Sequence, residues 1–446
     1  MATWRAALAK GATLLAALPI VATYAVAQPP TGLRTIYRFT GGSDGSQPTA
    51  GVIVSGGMVY GTALYGGTPG YGAVYALTPP ASAGGAWTET TLYNFTGGSD
   101  GAYPAAGVTM GAGGILYGAT GGPGKLNTLG AVYSLTPPAF PGGSWTETTL
   151  YSFAGPLDGE NAYGSLAVGG DGELYGTTSF GGGCVSDFWG CGTVFSLTPP
   201  GGLWTETVLH YFDHVDDQRV PADGAHPIAG LTIGTGGTLI GTTSLGGTNG
   251  AGTVFLLRPP VSPDGVWGET RIYNFGAAAG DADGVGPGGG VVFGKGGVLY
   301  GTTEFGGASG AGTVFSLTPP ASRGGAWIET VLYSFVGGGD GQMPAAGVAM
   351  GAGGVLYGTT FQGGIRNATC LANLGCGTVF SLTPPASAGG RWTKTTLHGF
   401  TGGTDGYGPF GGVFMAEGGT LFGATEFGGS CSISTAGCGT VYALQP

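Results

Sequence analysis

Charge is scarce in this chain. Of 446 residues, only 8% are Asp, Glu, Lys or Arg, and four are His. Thirteen basic residues face 24 acidic ones, a net charge of −11. A surface of this sign repels phosphate backbones, so nucleic acid is not an expected partner. The same scarcity leaves few groups for acid–base chemistry. No helical period occurs beyond the first 27 residues. There is no nucleophile elbow, Walker loop or dinucleotide fingerprint, and the Gly-x-Gly runs are repeat turns, so no cofactor is expected. Cysteine is limited to six residues, without C-x-x-C spacing or a nearby His, which argues against zinc.

What the chain has in abundance is glycine, 101 residues of it, and repetition. Asp-Gly recurs at Asp44, Asp100, Asp158, Asp223, Asp283, Asp340 and Asp405, at intervals of 56, 58, 65, 60, 57 and 65 residues. A period of this length means that one supersecondary unit has been copied. Glycine shows no strict three-residue period, so it marks tight turns rather than a collagen helix.

Each unit reads as four strand-like runs. The first is small and Gly-rich, as in Gly107–Met110. The second is Leu-Tyr-Gly-Thr, with its aromatic at Tyr60, Tyr117, Tyr175, Tyr300 and Tyr357. The third alternates, Thr313, Phe315 and Leu317 against Val314 and Ser316, and Pro-Pro follows it in six of seven units. The fourth is Trp-Thr-Glu-Thr, whose alternation places Trp87, Glu89, Thr91 and Tyr93 on one face. Four short antiparallel strands repeated seven times describe a seven-bladed, all-β propeller. The ends agree. Thr35–Phe39 matches a fourth strand and Thr440–Leu444 a third, so the two ends complete one blade and close the ring.

Residues 1–27 read as a secretory signal: Arg5 and Lys10, an apolar Gly11–Val26 and a small-x-small site at Ala25–Ala27. Residues 28–446 then form one propeller domain. Losing Arg5 and Lys10 leaves 11 basic residues against 24 acidic ones, a net charge of −13. The cysteines fall into local pairs, Cys184/Cys191, Cys370/Cys376 and Cys431/Cys438. Each pair sits in one loop of its own repeat, and local disulfides would contribute roughly 2–3 kcal/mol each. A secreted or periplasmic monomer without a membrane span in the mature chain is expected.

The run Leu-Tyr-Gly-Thr-Thr, Gly-Gly, Gly-Thr-Val-Phe-Ser-Leu-Thr resembles the GloVer tandem repeat of exported bacterial "choice-of-anchor" proteins. The resemblance covers Leu33–Leu444. It implies export and a function not yet characterised, and it carries no catalytic residues. The family's C-terminal anchor is not expected here, because the chain stops at Gln445-Pro446, just past a strand.

Three features are candidates for function. The Asp-Gly pairs would ring one face; their carboxylates either serve cations or sugar hydroxyls, or cap turns by accepting a backbone N–H two residues on. An equal requirement in every unit is what a turn predicts. The fourth junction breaks symmetry with Asp213–Arg219, placing His214, Asp216, Asp217 and His226 close together as candidate ligand-binding groups; no metal is assigned. His210 and His398, in the slot of Tyr93 and Tyr151, read as half-buried packing residues. The Trp series could stack sugars, but its fixed place argues for packing between blades. The leading reading is a non-catalytic exported module that binds a carbohydrate or protein ligand. The alternatives are a polysaccharide lyase or glycosidase and a structural envelope protein.

Overall fold

The computed structural model describes residues 32–446 except 83, 122–128, 141, 156, 184–189, 200–202, 213–221, 263–264, 323, 371–373, 388, 430, 432–433 and 435. The signal segment, Cys184, His214, Asp216 and Asp217 therefore lie outside the described residues. The chain forms seven four-stranded antiparallel sheets, with no α-helix among the described residues. Blades are numbered one to seven from Ile53. The fifth is Val292–Phe293, Leu299–Thr303, Thr313–Thr318 and Ile328–Ser334. The seventh joins the two ends: Gly32–Arg38 pairs with Thr440–Gln445, Thr35 opposite Tyr442, beside Leu421–Thr425 and Phe414–Met415.

The repeated motif has a packing reason at each letter. In Tyr-Gly-Thr-Thr of blade five, the ring of Phe315 from the third strand lies over Gly301. A methyl there would come within 2.6 Å of the ring. Thr302 donates to the Ala346 carbonyl of the next blade at 2.7 Å, and Thr303 bonds Thr313 of the third strand at 2.9 Å. The Thr302 bond recurs through Thr62, Thr177, Thr242 and Thr359, each joining its blade to the next. Pro-Pro ends the third strand because proline has no N–H for the ladder.

Two details differ from the alternating pattern. The third strand is buried on both faces along nearly its whole length, because neighbouring blades cover it on either side. The fourth strand carries a bulge in all seven blades, at Leu92 in blade one, which interrupts the run from Trp87 to Tyr93. The bulged residue is always Leu or Ile. A bulge turns the following side chains, and here it re-aims Tyr93 toward the Asp-Gly turn. The tryptophans pack between blades: Trp145 meets Tyr60, and Trp392 meets Tyr300, edge to face at 6.3 and 6.0 Å.

Disulfides join Cys370 to Cys376 and Cys431 to Cys438, each within the loop between second and third strands. Such bonds fit an oxidising compartment. No helix among the described residues is long and apolar enough to cross a membrane.

The short first strand is innermost. The seven chain segments entering it meet around the axis, where glycine is a steric requirement. A methyl on Gly347 would lie 2.4 Å from the Gly290 carbonyl oxygen, and one on Gly230 would lie 2.6 Å from that of Ser165. Contacts of this kind run round the whole ring, from Gly51 through Gly107 to Gly412.

Candidate functional site

The Asp-Gly turns are structural clasps. The hydroxyls of Tyr37, Tyr93, Tyr151, Tyr273 and Tyr333 donate to Asp44, Asp100, Asp158, Asp283 and Asp340 at 2.7–3.0 Å. The backbone donor lies four residues before the Asp rather than two after it. Thr40, Thr96, Val336 and Thr401 N–H groups reach their carboxylates at 2.7–3.0 Å. His210 and His398 take the tyrosine role, 3.3 Å from Asp223 and 3.1 Å from Asp405. They are therefore partners in the clasp as well as packing residues against Phe212 and Phe400. Among the described residues, no group of three or more His, Cys, Asp or Glu is placed to hold a metal ion.

A second carboxyl approaches several clasps from the next blade. Glu206 and Glu329 are pushed up to about 7 by burial first and by Asp158 and Asp283 second. The folded protein therefore holds protons that the unfolded chain releases near pH 4.3. That stabilisation is complete at low pH and is lost as pH rises toward 7. Asp405 works the other way. Burial would raise it, but hydrogen bonds from His398 and Thr401 hold it below the ordinary range, so its contribution is lost only in stronger acid. Thermal stability is expected to peak near pH 5 and to fall by pH 8. Glu206 and Glu329 are only partly buried, so on the order of 1 kcal/mol each is the scale after screening. Calorimetry across this range checks it. An unchanged pH profile in Glu206→Gln with Glu329→Gln would remove these groups as the cause.

Three residues past each clasp Asp, the backbone turns left-handed. Gln47, Tyr103, Asn161, His226, Gly286, Met343 and Gly408 have φ between 53° and 66°. Four of these, Gln47, Tyr103, His226 and Met343, are residue types that ordinarily avoid this region, at a cost of roughly 1 kcal/mol or more. The reason is a stitch between blades. Each N–H bonds a carbonyl of the preceding blade, Met343 to Ala311 at 3.0 Å and His226 to Cys191 at 2.8 Å. Each carbonyl accepts from its own blade, Met343 from Phe361 and Gly286 from Glu304, both at 2.9 Å. Both bonds use backbone atoms alone, so the position admits different side chains from unit to unit.

The stitched segments open onto an axial cavity of about 410 Å³. Its wall is glycine, alanine and backbone, with Thr49, Leu64, Tyr163, Ile228 and Phe410 among the larger residues. No ionisable group other than the Tyr163 phenol, raised by burial, lines it. Aromatic rings extend from it on two sides: Tyr65 against Tyr103 at 5.3 Å, and Phe361 against Phe410 at 5.5 Å. His226 stands edge-on to Phe180 at 5.1 Å, two residues before the cavity-lining Ile228. Of the four residues named from sequence, it alone is described.

Sequence reasoning missed two carboxyls. Glu304 and Glu426 accept no hydrogen bond from the described residues, and burial pushes each up to about 7. They follow Gly-Thr-Thr and Gly-Ala-Thr at the end of the second strand. That slot reads Leu64, Gly121, Ser179, Ser244, Glu304, Phe361, Glu426 around the ring, beside nearly constant neighbours. Variation at one slot of a constant motif was the available signal.

Among solved structures, similarity extends to a copper-bound fungal alcohol oxidase of the AA5 family. It is 14% identical, with 93% of this chain and 76% of that one covered, at a TM-score of 0.55. A Bacteroides uniformis protein assigned as a 6-phosphogluconolactonase is 16% identical, covering 80% and 85%, at 0.47. A PL25 ulvan lyase is 12% identical, covering 64% and 69%, at 0.40. At these identities the likeness is one of fold. No curated protein matches the sequence. The model of the Gloeobacter/Verrucomicrobia repeat matches residues 22–255 and 190–372, well over half of the chain. With the sevenfold motif and the closed ring, this makes the chain a member of the Gloeobacter/Verrucomicrobia repeat family.

Proposed function

We propose that this propeller is an exported, non-catalytic binding module that takes a carbohydrate or protein ligand at the mouth of its axial cavity. The uncharged wall of that cavity carries the reading. A concave, mostly apolar surface with a few polar groups suits recognition, whereas hydrolysis or elimination needs two titratable groups converging on one space. His226, two residues before the cavity-lining Ile228, supports reading it as a rim contact, and the sequence pattern alone adds His214, Asp216 and Asp217 as candidates for the same ligand. Glu304 and Glu426 favour the second reading, a polysaccharide lyase or glycosidase, since carboxyls near 7 can exchange protons at neutral pH.

A glycan array and a pull-down with purified protein would supply a ligand. Tyr163→Ala with Phe410→Ala is then expected to weaken binding about tenfold or more, the scale of losing aromatic contacts, without lowering the melting temperature. Unchanged affinity would move the ligand elsewhere. Replacing His214, Asp216, Asp217 and His226 by Ala tests the rim in the same assay. Turnover of a bound polysaccharide that disappears in Glu304→Gln or Glu426→Gln would replace the binding reading with the enzymatic one.

A further inference from the structure

The same face holds a second cavity, of about 200 Å³, at the junction of blades five and six. Its polar lining is Glu304, Ser309, Gln342 and Gln362, and Phe305 and Met343 supply apolar surface. Here the repeat departs from its own pattern. An isolated bridge joins the loop after each clasp to the end of the second strand in six blades. In five of them the pair is Ser46/Tyr65, Glu160/Phe180, Ala225/Leu245, Val285/Phe305 or Tyr407/Phe427, always with an aromatic or leucine second. In blade six it is Gln342/Gln362.

The two amides bond each other at 2.9 Å. One amide therefore has a free acceptor and the other a free donor, and neither finds a further partner among the described residues. The Glu304 carboxyl, packed against Gly288, has no hydrogen-bond partner there either. Phe305 is 48% exposed. These groups keep solvent access, so their spare bonding capacity beside the exposed ring is open for a ligand to take over from water.

We propose that this cleft is a saccharide subsite: Glu304, Ser309, Gln342 and Gln362 bond the hydroxyls of one sugar ring, and Phe305 packs on its apolar face. The inference rests on the binding reading above and adds the ligand's chemistry and a place apart from the axial cavity. Neighbouring hydroxyls each donate and accept, and so match a side-by-side donor, acceptor and carboxyl. The lining holds no Lys or Arg, which favours a neutral ligand over an anionic one. The volume lies below that of sites for drug-sized molecules and suits a single ring.

The test uses purified protein and the methyl glycosides of glucose, galactose, mannose and N-acetylglucosamine, read by saturation-transfer NMR. At least one is expected to bind saturably. Gln342→Val with Gln362→Phe installs the pair that blade five already carries, so folding is expected to be preserved. That variant should lose at least about tenfold in affinity at an unchanged melting temperature, as when hydrogen-bond partners of a bound ligand are removed. Equal affinity in this variant, or no binding by any of the four glycosides, overturns the subsite. Tyr163→Ala with Phe410→Ala separates the two ideas. Loss there alone leaves the axial reading standing and the cleft refuted, and loss in the cleft variant alone supports the cleft and refutes the axial site. If neither variant changes affinity, both fail.

Discussion

Removal of residues 1–39 is expected to open the ring. The missing segment is the outer strand of blade seven, whose other three strands come from the far end of the chain. Phe39 is fully buried and meets Tyr75 of blade one at 5.0 Å; Ile36 is buried beside it, and Leu33 packs against the core shared by blades six and seven. Three such side chains contribute roughly 1.5–3 kcal/mol each, about 4.5–9 kcal/mol together, which is comparable with the whole stability of many proteins. The cut also bares the edge of Thr440–Gln445, which invites pairing with other chains. A fall in melting temperature on the order of 10 °C, with aggregation, is expected by calorimetry and light scattering. A synthetic peptide of residues 32–40 added in trans should restore part of it. An unchanged melting temperature would show that the closing strand contributes little.

Gly289→Ala is expected to be nearly as damaging, although it adds one methyl group. That methyl would lie 2.0 Å from the Gly347 nitrogen and 2.4 Å from the Ala346 carbonyl carbon. Both belong to the backbone of the next blade, so relief requires blades to separate, and the Thr302–Ala346 bond between them is strained as well. Overpacking of this kind costs about 3 kcal/mol or more when nothing can repack. Gly268→Ala is the internal control, because a methyl there meets nothing within 4 Å. Denaturant titration should separate the two variants. Equal midpoints would mean that the axial ring tolerates expansion.

Some of this was legible without coordinates. Period, strand number and closure followed from a motif copied seven times and from ends that complement each other. The Trp slot indicated packing between blades because it never moved. The Asp-Gly turns read correctly as turns, but the donor was misplaced. The Tyr that binds Asp340, Tyr333, lies seven residues earlier, and only the bulge at Leu332 swings it into reach. Glu304, Glu426, Gln342 and Gln362 were passed over because each looks like one more variant at a tolerant slot.

The architecture is encoded locally, since strand period, turn chemistry and glycine placement act over a few residues and repeat in every unit. Which variable positions share a surface depends instead on how the blades pack together. The stitch that turns Met343 left-handed bonds Ala311 across a blade junction, and the axial cavity is assembled from segments about 60 residues apart in sequence. Those distances are set by how neighbouring blades pack round the axis, and no local pattern in the chain encodes them.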